Sequence, residues 1–202
     1  MYVIGYIDDE NVMISDYTKR LIRRDIELRV APIGDMTKVK QWIVDNHIEC
    51  MIIDYQLNAT YDFVGTELFS YLSDELPGLP CVILTSYTDS SINENQVVMN
   101  CIFDRSIMDS NGPEFDKFCD ILKQSTEVYK TNMNRYTSKY SALYQKRSDG
   151  TITPEEEEEL LSVFNVLKAY GEVDDISSQL LTTKIDRTLD AVLEKLDELI
   201  KK

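Results

Sequence analysis

From the start of the chain to about residue 112, short apolar runs alternate with amphipathic stretches. The runs are YVIGYI (2–7), ELRVAPI (27–33), CMIID (50–54), LPCVILT (79–85) and NCIFD (100–104). Each carries β-branched or aromatic residues, as strands of a parallel sheet buried on both faces do. Between them the spacing predicts helices. Residues 13–24 place Ile14, Tyr17, Leu21 and Ile22 on one side, residues 36–46 offer Met36, Val39, Trp42 and Ile43, and residues 64–76 offer Val64, Leu68, Phe69 and Leu72. The short polar stretch 89–98 predicts one more. Strand and helix alternating five times predict an α/β fold with a doubly wound, five-stranded parallel sheet.

After Pro113 the texture changes. The following stretch, to residue 147, has no glycine or proline, so one helix of about 50 Å is expected at 1.5 Å per residue. Its apolar positions include Phe115, Phe118, Leu122, Val128, Tyr136, Tyr140 and Leu143. The first turns are expected to cover the sheet and the Tyr-rich remainder to project past it. Ser148-Asp149-Gly150 breaks this helix. Thr153-Pro154-Glu155-Glu156 then supplies a helix start, with a threonine cap, proline at the first position and glutamate three after the cap. That helix is expected to reach about Tyr170 and stop at Gly171. A last helix, roughly 173–201, carries Ile185, Leu189, Val192, Leu196 and Leu199 in steps of four and three, a narrow coiled-coil seam that is too short to stand without a partner. The division expected is a sheet domain over 1–123 and a helical extension over 124–202.

Composition narrows the functions open to such a chain. With 36 acidic against 21 basic residues in 202, the net charge is −15, which argues against nucleic-acid binding or attraction to anionic lipid. No apolar run approaches the roughly 20 residues needed to span a bilayer. The first residues, MYVIGYIDDE, lack a basic stretch and read as a strand, not a signal peptide. Cys50, Cys81, Cys101 and Cys119 form no CxxC pair; three fall in expected strands, and reduced thiols of a cytoplasmic protein are the simplest reading. The lone histidine, His47, has no partners at useful spacing and reads as a surface or helix-end residue.

In a doubly wound sheet, ligands bind beyond the carboxyl ends of the strands. The residues there are Asp8 and Asp9, Asp54, Thr85 and Ser86, and Asp104 and Arg105. Three carboxylates crowded together repel unless a cation shares them. Mg2+, a hard ion with oxygen ligands that often bridges to phosphate, is the natural choice. Asp54 could then attack a phosphoryl donor and become an acyl phosphate. Thr85 and the cation of the fifth strand end would hold the new phosphoryl oxygens.

These strand ends resemble the receiver domain of bacterial response regulators. YVIGYIDDE looks like that family's first strand with its acidic pair, CMIIDYQL like the third with its phosphorylated aspartate, and CVILTSYTD like the fourth with its switch threonine. The resemblance covers about residues 1–123 and implies a flavodoxin-like receiver fold and a two-component phosphorelay. It implies Mg2+ held directly by Asp9, through water by Asp8, and by Asp54 and the backbone carbonyl of Gln56. It also implies Asp54 as phosphoacceptor, Thr85 turning toward the phosphoryl group with Ser86 beside it, and a sensor histidine kinase or phosphotransfer protein as donor. Three departures stand out. Arg105 replaces the family's lysine, Ile102 stands at the aromatic switch position, and LNATYDFVG is a longer acceptor loop with Asn58 where proline is common.

The function expected is a phosphorylation switch, not a turnover enzyme, signalling through helical interaction or homodimerisation without DNA or membrane. The alternative is a pseudo-receiver scaffold that works without phosphate. A magnesium phosphohydrolase would need a second acid near the nucleophile, and position 56 is glutamine. Asp149-Gly150-Thr151-Ile152-Thr153 imitates half an EF-hand loop, but Gln145 and Arg147 occupy positions that need carboxylates, and the capped helix start accounts for the same residues.

Overall fold

The computed structural model describes residues 1–9, 13–57, 59–86, 97–110 and 112–173. The chain divides into two compact units, Met1–Arg135 and Tyr136–Lys202. In the first, β1 (Tyr2–Ile7), β2 (Ile26–Val30), β3 (Cys50–Asp54), β4 (Cys81–Thr85) and β5 (Ile102–Asp104) form one sheet with α1 (Ile14–Ile22), α2 (Met36–Asp45) and α3 (Gly65–Glu75) between strands. The strand order is β2-β1-β3-β4-β5 and every pairing is parallel. This is the flavodoxin-like order, with its switch point between β1 and β3. The expected fold class is therefore the observed one.

Burial explains the strand compositions. β3 and β4 are buried at all five positions, and β1 at its last four. They lie inside the sheet with both faces covered, so alternation disappears from their sequences. One face meets α1 and the following long helix through Ile4, Tyr6, Leu21, Ile52, Leu84, Phe118 and Leu122. The edge strands are wetter. β2 ends at Val30, not at residue 33, because its register with β1 runs only from Tyr2↔Ile26 to Tyr6↔Val30 and β1 itself stops at Ile7. Ile33 is accordingly exposed. β5 is shorter than expected as well, because Met99–Cys101 forms a 3-10 turn before it. Cys101 thus lies outside the strand and only half buried. Cys50, Cys81 and Cys119 are buried and all four thiols are free; burial pushes Cys50 up to about 12 and Cys119 to about 11, which makes them poor nucleophiles.

Helix boundaries follow local chemistry. Asp35 caps α2 by accepting from the Lys38 amide at 2.8 Å. His47 lies just past that helix, exposed, with φ 49. The expected faces hold for Tyr17, Leu21, Val39, Ile43, Leu68 and Leu72, but Ile22 and Val128 are exposed.

The long helix α4 (Pro113–Ser148) is unbroken and ends before Gly150, whose φ of 68 suits only a left-handed turn. In the second unit, α5 (Pro154–Ala169) begins with the expected capping box: the Glu156 amide donates to Thr153 Oγ1 at 3.3 Å, and the Thr153 amide to Glu156 Oε2 at 3.1 Å. Leu143, Leu160 and Phe164 make its core with Tyr140 and Ile152 against them. The expected helix at 89–98 falls almost wholly, and the 185–199 seam wholly, outside the described residues. No helix among the described residues is long and apolar enough to cross a membrane.

Phe118 is fully buried and meets Phe103 edge-on at 5.1 Å. Phe118→Ala should cost about 3–5 kcal/mol of stability, as cavities of that size do. Chemical denaturation of the full chain checks this.

Candidate functional site

β1 and β3 are neighbours, with Ile7 opposite Ile53 in the register. The chain therefore delivers Asp8, Asp9 and Asp54 to one end of adjacent strands. Each offers a carboxylate oxygen within 4.8 Å of the others. Asp8 and Asp54 are buried and Asp9 is half buried. β4 lies on the other side of β3, with Leu84 opposite Asp54, so Thr85 follows at the same level, 1% exposed. Ser86 is exposed beside it, and Gln56 is exposed two residues after Asp54.

The fifth strand end brings in the cation. Asp104 accepts from the Ser106 amide at 2.8 Å, starting a 3-10 turn over Arg105–Met108. From it the Arg105 guanidinium reaches across the sheet end: Nη2 pairs with Asp54 Oδ1 and stands 3.2 Å from Asp8 Oδ2. The turn is anchored from below by Arg20 of α1, which donates to the carbonyls of Met108, Asp109 and Ser110 and lies over the Phe115 ring. All the expected acids, Thr85 and Arg105 thus meet at one end of the sheet.

Burial raises Asp54 from its ordinary 3.8 to about 6; Arg105 opposes the rise, and Asp8 and Asp9 add to it. Arg105 loses hydration in the same pocket, yet Asp54 and Asp8 hold its proton more firmly than usual. At Asp54, burial thus outweighs the guanidinium beside it. Three convergent carboxylates with hard oxygens suit a small divalent ion, so the donor set fits Mg2+.

Against known proteins, no family model matches the chain, and no curated protein matches it. Solved structures do. A response regulator receiver domain protein from Clostridium thermocellum is similar at 16% identity, over 65% of this chain and 98% of the other, with a TM-score of 0.48. A CheY-like receiver domain protein from Methanospirillum hungatei gives 16%, 65%, 98% and 0.46. NtrX from Brucella abortus, in complex with ADP, gives 19%, 69% of this chain, 30% of the other, and 0.49. The chemistry of the pocket is read from its own residues.

Several positions around this pocket carried no sequence signal. Tyr6, expected only as strand core, donates its hydroxyl to Asp8 Oδ2. The loop after β3 packs down: Leu57, Tyr61 and Phe63 are buried, and the Tyr61 amide donates to the Leu57 carbonyl at 2.8 Å. Burial, then the charges of Asp8 and Asp9, raise the Tyr61 hydroxyl. Gly65 closes this loop, its amide donating to the Tyr55 carbonyl at 2.9 Å. A Cβ there would lie 2.1 Å from the Asp54 carbonyl oxygen.

Because the obstacle is backbone, Gly65→Ala must shift the acceptor loop, costing about 1–3 kcal/mol as overpacking does and weakening divalent-ion binding. Thermal melts and Mn2+ titration check both. Asp54 gives a pH signature. Between its two pKa values the folded chain keeps a proton that the unfolded chain has released, so stability falls as pH rises through that window. In metal-free buffer Asp54→Asn should remove that fall and melt higher near neutral pH, by on the order of 1–3 kcal/mol. Calorimetry at acid and neutral pH tests this; equal melting of the two proteins at neutral pH contradicts it.

Proposed function

We propose that the Met1–Arg135 unit is a response-regulator receiver, phosphorylated on Asp54 with Mg2+, that signals through its helical C-terminal region by protein interaction or dimerisation. The observation that carries the reading is the convergence of Asp8, Asp9 and Asp54 within 4.8 Å at a sheet end that Thr85 and Arg105 share. Any one of these residues is ordinary at a polar strand end; the set in one place is not.

In the reaction envisaged, an Asp54 carboxylate oxygen forms a bond to phosphorus as the P–N bond of a phosphohistidine breaks. The histidine nitrogen keeps the electron pair and takes up a proton. Bound among Asp8, Asp9, Asp54 and the Gln56 carbonyl, Mg2+ would neutralise charge on the transferring phosphoryl group. Arg105 turns from Asp54 toward the phosphoryl oxygens, where its planar fork can donate twice. The Thr85 hydroxyl supplies another donor from β4. The donor protein would be a histidine kinase or phosphotransfer protein.

A second reading is favoured by the ion pair of Arg105 with Asp54 and its approach to Asp8. A guanidinium so placed already answers part of the repulsion, and arginine does not exchange for lysine without consequence. On that reading the unit is a scaffold that works without phosphate.

Incubating the full chain with a small phosphodonor and Mg2+ should add one phosphoryl group by mass, and Asp54→Asn should abolish it. No adduct under conditions that load a control receiver would count against the switch. An inert wild type beside a reactive Arg105→Lys variant is what the scaffold reading expects. Light scattering of the full chain with and without beryllofluoride tests the output: a change in mass supports controlled association.

A further inference from the structure

β1 sends Ile4, Tyr6 and Asp8 toward the same face by the two-residue period of a strand. Ile4 and Tyr6 enter the core beneath α1 and α4. Tyr6 is 1% exposed, a place where isoleucine or phenylalanine would serve packing as well. A buried phenol needs a hydrogen-bond partner, and here the hydroxyl donates to Asp8 Oδ2. The same oxygen stands 3.2 Å from Arg105 Nη2.

The tyrosine is held rigidly. Its ring meets Tyr17 edge-on at 6.2 Å and 82°, and its backbone is paired between Val30 of β2 and Ile52 of β3. Repulsion from Asp9 and Asp54 pushes the Asp8 carboxylate away from the cluster, and a fixed neutral donor resists this. Unlike Arg105, the hydroxyl brings no positive charge that would compete with an incoming ion.

We propose that Tyr6 is a positioning residue, holding the Asp8 carboxylate turned toward Asp9 and Asp54 so that the three acids are ready for a divalent cation. The inference deepens the receiver reading of this pocket by naming what orients its metal ligands. Donors of this kind behind metal ligands commonly change affinity by about 10–100-fold.

The test uses Mn2+ alone, titrated into the full chain with the free ion read by electron paramagnetic resonance. Tyr6→Phe keeps the ring and removes one oxygen; its Mn2+ affinity should fall by roughly tenfold or more. Tyr17→Phe, which trims the neighbouring ring, should bind Mn2+ like the wild type. A Tyr6→Phe protein that melts lower but binds Mn2+ as tightly as the wild type would overturn the proposal, as would an equal loss in Tyr17→Phe. A wild-type measurement stands beside the variants: with tyrosine labelled at Cζ, adding Mg2+ should move the Tyr6 resonance, and an unmoved signal overturns the proposal. None of these readouts involves phosphoryl transfer. A chain that takes no phosphate yet shows the Tyr6 effect would sink the switch and leave this inference standing; the reverse pattern would do the opposite.

Discussion

Like-charge repulsion among three buried or half-buried carboxylates is the constraint around which this unit is built. Asp8, Asp9 and Asp54 come within 4.8 Å of one another where water cannot fully screen them, and such a cluster persists only if donors or cations share it. Tyr6 and Arg105 answer that need from within the chain. Burial still raises Asp54 against the pull of Arg105, so the guanidinium offsets only part of the cost of placing a carboxylate there.

The parallel sheet makes the crowding possible. Placing β1 against β3 delivers acids from distant parts of the sequence to one rim, and β4 adds Thr85 at the same level. A short β5 followed at once by a 3-10 turn lets Arg105 reach back over that rim. The supports are equally specific. Gly65 gives the Asp54 carbonyl room, Arg20 grips the turn that carries Arg105, and Tyr61 and Phe63 are buried in the loop after β3.

Arginine at this position gives the pocket a particular character. It pairs with Asp54 while standing within reach of Asp8, so the cluster carries a counter-charge that cannot titrate away. Both functional readings start from this arrangement and differ only in whether the guanidinium yields to a phosphoryl group. Ile102 stands opposite Ile83 on the edge strand, and Phe103 packs on Phe118.

Much was legible along the chain because it is written in local periodicity. Buried runs marked β1, β3 and β4, the absence of breakers marked α4, and Thr153 with Glu156 marked the start of α5. The acids at the strand ends were visible because doubly wound sheets place ligands there. Strand limits at β2 and β5 were not visible, since they depend on where a neighbouring strand runs out of partners. Tyr6 and Gly65 read as an ordinary core residue and an ordinary loop glycine; what sets them apart is the Asp8 carboxylate turned to the Tyr6 hydroxyl and the Asp54 carbonyl beside Gly65. Sequence alone thus determined which chemical groups stand at the ends of the strands, because hydrophobic patterning is local. Only the tertiary structure decided which of them share a charge, because the strand order is what brings Asp8, Asp54 and Arg105 together from distant parts of the chain.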